Sequence, residues 1–205
     1  GVMTAASEQG SLQCLIILNQ LQYAWDTETC AAAAAGGHLH CLKYAFESFC
    51  SWDAEVYKCA ALNGHIDCMV FAFDNGLQWH ADVCASAAQN DQLECLRYAR
   101  ELGCPWTAET LRVAARYGSF KCLKYSLEEG CPVGKDLCAQ ACEGGHLSAL
   151  QYLHDHNVPW GAETTAAAAS ANDVTCLRFA RERGCQWDNS TTQGAAAHGC
   201  IITLR

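Results

Sequence analysis

Written in rows of 27 residues, this chain of 205 aligns with itself without a gap, and that period limits what it can fold into. One column reads Trp25, Trp52, Trp79, Trp106, Val133, Trp160, Trp187. Another reads Gly10, Gly37, Gly64, Asp91, Gly118, Gly145, Asn172, Gly199. A third is aliphatic or aromatic throughout, from Leu12, Leu39 and Ile66 to Val174 and Ile201. A unit this short cannot bury an apolar face alone. Stacked copies of it can, so the period points to a solenoid.

Each period divides into two helices. In the row that begins at Trp25, Asp26 or Thr27 is placed to cap a helix, and Glu28 suits its first turn. The run Cys30 to Ala35 is rich in alanine, the strongest helix former and the one that allows closest approach. Gly36-Gly37 stops it. A second helix follows over roughly Leu39–Ser48, with apolar positions spread over a broad face. It closes on a column read as Gly76, Gly103, Gly130 and Gly184, suited to a left-handed cap, and Pro105, Pro132 and Pro159 follow two residues later. The alanines Ala33, Ala60, Ala87, Ala114, Ala141, Ala168 and Ala195 do not vary, while large aromatics recur on the second helix.

Ten of the sixteen cysteines fall in two columns of the same register. Cys14, Cys41, Cys68, Cys95, Cys122 and Cys176 occupy one column, and Cys50, Cys104, Cys131 and Cys185 another. Equivalent positions in stacked units point the same way, so these read as small core residues rather than a disulfide framework. That places the chain in a reducing intracellular compartment, with the cytoplasm the leading candidate. The formal net charge of −9 argues against nucleic acid as a partner. No apolar run nears the ~20 residues of a membrane span, so no membrane insertion is expected. The opening Gly1-Val2-Met3-Thr4 has no basic stretch leading into an apolar one, so no secretion signal is expected.

The element Ala33-Ala34-Ala35-Gly36-Gly37-His38-Leu39 recurs at Ala60 to Ile66 and near Cys142 to Leu147, followed by Cys-Leu-Lys-Tyr at Cys41–Tyr44 and Cys122–Tyr125. These residues resemble the ankyrin-repeat superfamily over the whole chain. The family's usual period of about 33 residues includes a β-turn finger. Here Trp-Asp-x-Glu-Thr-Cys stands in its place, as in compact ankyrin-like arrays of protists and large DNA viruses. The resemblance implies an all-α, right-handed α-solenoid of helix-turn-helix units with very short or absent β-fingers. Residues 1–205 then form a single array of about 7.5 repeats, on the order of 70 Å long. Both ends fall inside a repeat, which suggests a segment of a longer array or ends covered by a partner.

The chain carries no phosphate loop, nucleophile elbow or paired His–carboxylate motif, so no enzyme activity and no cofactor are expected. Cys138, Cys142 and His146 run at i, i+4, i+8, but Gly144-Gly145 breaks the helix and no metal site is assigned. The polar column with His38, His65, Gln92, Ser119 and His146 reads as capping or loop bonding. The Trp column reads as packing between repeats. Lys43, Arg97, Lys124 and Arg178 with Glu47, Glu101, Glu128 and Glu182 read as surface ion pairs.

Variation is concentrated on the first helix. Two columns four residues apart, and the position after them, change from row to row beside invariant packing columns. In ankyrin-type arrays the first helices line the concave side. The residues assigned to partner binding there are Lys58, Leu62, Gln89, Arg112, Arg116, Tyr117 and Glu143. The expected function is a protein–protein interaction scaffold. The alternative is a structural linker or assembly subunit that makes contact through its convex face or its ends.

Overall fold

The computed structural model describes residues 1–189 and 191–193. Expectations that fall on Ala195, Ala197, His198, Gly199 and Cys200 to Arg205 lie outside the described residues.

Among the described residues the chain is helical, with no strand. Seven helix pairs are described in full: α1 Val2–Glu8, α2 Leu12–Gln20, α3 Thr27–Ala35, α4 Leu39–Glu47, α5 Glu55–Asn63, α6 Ile66–Asp74, α7 Asp82–Gln89, α8 Leu93–Glu101, α9 Ala108–Tyr117, α10 Phe120–Glu128, α11 Leu137–Glu143, α12 Leu147–Asp155, α13 Ala162–Ser170 and α14 Val174–Glu182. They divide into two compact units, Gly1–Pro105 and the residues from Trp106 onward. In the first unit α1, α3, α5 and α7 stack in one row and α2, α4, α6 and α8 in another. In the second unit α9, α11 and α13 face α10, α12 and α14 in the same way. In each unit the first-helix row packs more closely. Its alanines explain why: Ala33, Ala60, Ala87, Ala114, Ala141 and Ala168 have no exposed surface, and a methyl side chain lets neighbouring backbones approach.

The second row is spaced by larger groups. Leu42, Met69, Leu96, Leu123, Leu150 and Leu177 are buried at one repeating position. The tryptophans pack between neighbouring second helices. Trp52 lies 4.5 Å from Phe46 and 5.9 Å from Phe71. Trp79 lies 5.8 Å from Phe73 and 6.3 Å from Tyr98, and it also stacks at 4.1 Å on Tyr57 of the first helix α5. In the second unit Trp160 sits 4.4 Å from His154 and 6.0 Å from Phe179.

The cysteine columns also have structural roles. Cys41, Cys68, Cys95, Cys122 and Cys176 are buried core thiols, while Cys14, in the first repeat, is exposed. The second column fastens linkers. Cys50 Sγ donates to the Asp26 carbonyl at 3.2 Å, Cys131 to Thr107 at 3.3 Å and Cys185 to Gly161 at 3.2 Å. Each bond spans the same 24 residues and satisfies a carbonyl just before a first helix.

Asp26 caps α3, accepting from Thr29 N at 2.9 Å. The polar column before the second helices behaves differently. Asp173 caps α14, but the side chains of His38, His65, Gln92, Ser119 and His146 make no cap bond. His38, His65, Gln92 and His146 instead lie over a glycine of the preceding repeat. A Cβ on Gly37 would fall 2.5 Å from His65 Nδ1, and one on Gly118 would fall 2.5 Å from His146 Cε1. Both glycines also hold a positive φ. Gly37 and Gly118 are thus glycine for two separate reasons, handedness and space, while Asp91 and Asn172 hold the same positive φ elsewhere in the column.

Candidate functional site

A broad cleft lies on the first-helix face of the second unit and has a volume of about 870 Å³. Its floor is alanine: Ala139 on α11, and Ala162, Ala166 and Ala167 on α13. Their small side chains leave a shallow surface on which another backbone could lie. Its rim is acidic. Asp136, Glu143, Glu163 and Asp188 line it against a single guanidinium, Arg116.

That guanidinium is already held. Arg116 Nη1 donates to Glu143 Oε2 at 2.8 Å and to Gln140 Oε1 at 3.2 Å. One turn earlier, Arg112 Nη1 donates to Glu109 at 2.9 Å, and its Nε lies 3.2 Å from Asp136. Neighbouring carboxylates, Glu109 first, raise the Arg112 pKa. Arg112, Arg116 and Glu143 therefore come together in one charged network linking α9 to α11. Tyr117 ends α9 and is 53% exposed.

In the first unit, Lys58 on α5 is ion-paired to Glu55 one turn back. Leu62 and Gln89 are half-buried on α5 and α7. The Leu62 carbonyl accepts from Asn90 Nδ2 at 3.0 Å. A smaller cleft of about 290 Å³ is lined by Thr27, Glu28, Ala31, Asp53 and Glu55.

Both clefts share a feature that variation between rows does not reveal. Glu28, Glu55, Asp82, Glu109, Asp136 and Glu163 form an acidic column at the 27-residue spacing. A carboxylate at a helix N-terminus is favoured by the helix dipole, and that explanation suffices for each position alone. The structure adds that members of the column line the clefts and hold two of the three cations assigned to recognition. A charge kept in six successive repeats leaves no trace in the variation between rows.

Among the described residues no group of three or more His, Cys, Asp or Glu side chains is arranged to hold a metal ion. No described helix is long and apolar enough to cross a membrane.

No protein-family model matches the sequence. No curated protein matches it either. Among solved structures, the ankyrin repeat domain of human ASB11 is similar with a TM-score of 0.64 at 17% identity, over 87% of this chain and 97% of that one. The pentatricopeptide repeat protein PPR10, solved in complex with an 18-nucleotide psaJ RNA element, is similar with a TM-score of 0.52 at 15% identity. That match covers 94% of this chain and 34% of PPR10. At these identities the likeness is one of fold: the chain is an ankyrin-like helical repeat array.

Proposed function

We propose that the chain is a non-enzymatic scaffold that holds a partner protein along its first-helix face. In the second unit the cleft over α11 and α13 takes an extended segment carrying lysine or arginine. The observation that carries this reading is the alanine floor rimmed by Asp136, Glu143, Glu163 and Asp188. The floor admits a backbone and the rim selects a cationic one. An acidic rim also disfavours phosphate, so RNA bound by PPR10 does not transfer to this chain. Arg112, Arg116 and Glu143 position the rim, and Tyr117 supplies an exposed aromatic at its edge. Lys58, Leu62 and Gln89 serve the corresponding face of the first unit. The described cysteines carry thiols rather than disulfides, which supports a reducing compartment.

A fluorescent Lys/Arg-rich peptide and its Glu-substituted counterpart test the reading by anisotropy. The basic peptide should bind, more weakly as salt rises. Glu143→Lys with Glu163→Lys should lower affinity by about tenfold or more, counting about 1 kcal/mol for each reversed rim charge. Glu94→Lys with Glu101→Lys, on α8, should change it little. Equal loss in both pairs would mean that the overall charge binds the peptide and the cleft does not.

A second reading, as an assembly subunit that makes contact through its second-helix side, is favoured by the exposed apolar side chains Leu21, Tyr23 and Phe49.

A further inference from the structure

Two pairs of thiols touch within the first unit. Cys84 Sγ on α7 donates to Cys104 Sγ, 3.7 Å away, and the thiol of Cys30 on α3 is hydrogen-bonded to that of Cys50 in the same way. The partners are 20 residues apart in each pair, and each pair joins a first helix to the linker that follows its second helix. All four thiols are buried.

Fastening the linker does not require two sulfurs. Cys50 and Cys104 donate onward to the carbonyls of Asp26 and His80, at 3.2 and 3.5 Å. Cys131 and Cys185 make the same bond with Leu111 and Thr165 in the place of Cys30 and Cys84. Tyr57 with Leu77, and Cys138 with Val158, fill the two positions in other repeats. Two facing thiols are therefore an addition to the fold rather than a demand of it.

Within each pair the sulfurs differ. The hydrogen bond from Cys30 holds the Cys50 thiol below its ordinary value, against the effect of burial. The bond from Cys84, aided by the Arg100 charge, does the same for Cys104. Cys30 is pushed up, by its bond to Cys50 first and then by burial. Cys50 and Cys104 also stand in linkers, which open locally at less cost than packed helices. A third thiol contact, Cys142 with Cys176, joins two helices of the second unit and places no sulfur in a linker.

We infer that Cys30–Cys50 and Cys84–Cys104 are reversible dithiol–disulfide couples that respond to hydrogen peroxide, each able to tie a first helix covalently to the linker after its second helix. The Cys50 or Cys104 sulfur attacks one peroxide oxygen, the O–O bond breaks, and water leaves with a sulfenic acid on the sulfur. The facing sulfur of Cys30 or Cys84 then attacks that sulfenic sulfur. The S–S bond forms, and the hydroxyl group leaves with the thiol proton as a second water. Two thiols are oxidised and one peroxide is reduced to two waters. Sulfurs already in contact at 3.7 Å need only a local approach to the bond length of about 2.05 Å. The inference does not rest on the acidic cleft in the second unit.

Brief exposure of the native protein to dilute hydrogen peroxide, then alkylation in denaturant and peptide mapping without reductant, tests it. Peptides linked through Cys30–Cys50 and Cys84–Cys104 should appear, each lighter by two hydrogens, and should vanish after dithiothreitol. Cys131, Cys138 and Cys185, which face no such thiol, should form no disulfide. Cys30→Ala should remove the first link and leave the second. The urea midpoint should rise on oxidation and return with dithiothreitol, because each link constrains the unfolded chain. In Cys30→Ala with Cys84→Ala it should not move. Free thiols at all four positions once the exposed Cys14 has been oxidised would overturn the inference. Links outside the two pairs in equal yield, or an oxidised form whose midpoint is no higher, would do the same.

Discussion

Burial governs the chemistry of individual thiols in this chain. It lifts Cys68 and Cys95 to about 11 and Cys138 to about 12, because a thiolate there would be stripped of water. Cys14 is exposed. Brief alkylation of the native protein, read by mass spectrometry, should therefore label Cys14 and leave Cys68, Cys95 and Cys138 unmodified until denaturant is added. Equal labelling of all four would contradict the packing described. The burial of these columns was legible because a residue repeated in register must point the same way in every repeat. Phe49 holds a positive φ of 62° in the column of Gly76 and Gly103. It was not read from sequence: a residue that replaces glycine in a column gives no sign by itself of whether the backbone has changed or has stayed strained. The acidic column gives no sign of a binding role in the sequence, because the helix dipole favours a carboxylate at each of its positions.

At the scale of the element, helix starts differ in how they are secured. Asp173 caps α14 by accepting from Thr175 N at 2.9 Å and Cys176 N at 3.2 Å. Partial burial opposes its ionisation, but the Cys176 and Thr175 hydrogen bonds prevail and hold its carboxyl below the usual carboxylate value. A depressed carboxyl contributes stability that is present above its unfolded pKa of about 3.9 and is lost as pH falls through the lower folded value. Asp173→Ala should cost about 0.5–2 kcal/mol at neutral pH, read from denaturant unfolding. The difference from wild type should shrink under acid, below the usual carboxylate range. A cost that persists unchanged there would mean that the cap does not act through its charge. The cap of α3 could be anticipated from Asp26, although α5, α7 and α11 begin without a side-chain cap bond. The histidines before the second helices could not, because their partner is a glycine of the preceding repeat, contributed by a segment about thirty residues away. Sequence identifies the polar column, but only the stacking of repeats shows what it touches.

At the scale of the molecule, the period was sufficient for the architecture. Helix pairs of 27 residues with alanine on one row and aromatics on the other have few ways to bury both faces. The division into units at Pro105 and Trp106 is different. Cys104-Pro105-Trp106 reads like Cys131-Pro132-Val133 and Val158-Pro159-Trp160, which lie within the second unit, so composition does not mark the boundary. The binding face is legible only in part. Variation located the helices, and Ala139 and Ala166 of the cleft floor even belong to the varying column of Lys58 and Arg112, but alanine at a varying position gives no sign by itself of a cleft. The central claim is that a partner lies on that floor. A photocrosslinking residue placed at Ala166, compared with one at Arg178 on the second-helix face, tests it most directly in cells that express the full chain. The account predicts that the Ala166 probe yields crosslinks to a partner segment rich in lysine or arginine, and that Glu143→Lys with Glu163→Lys removes them. Crosslinks that arise from Arg178 and not from Ala166 would contradict it.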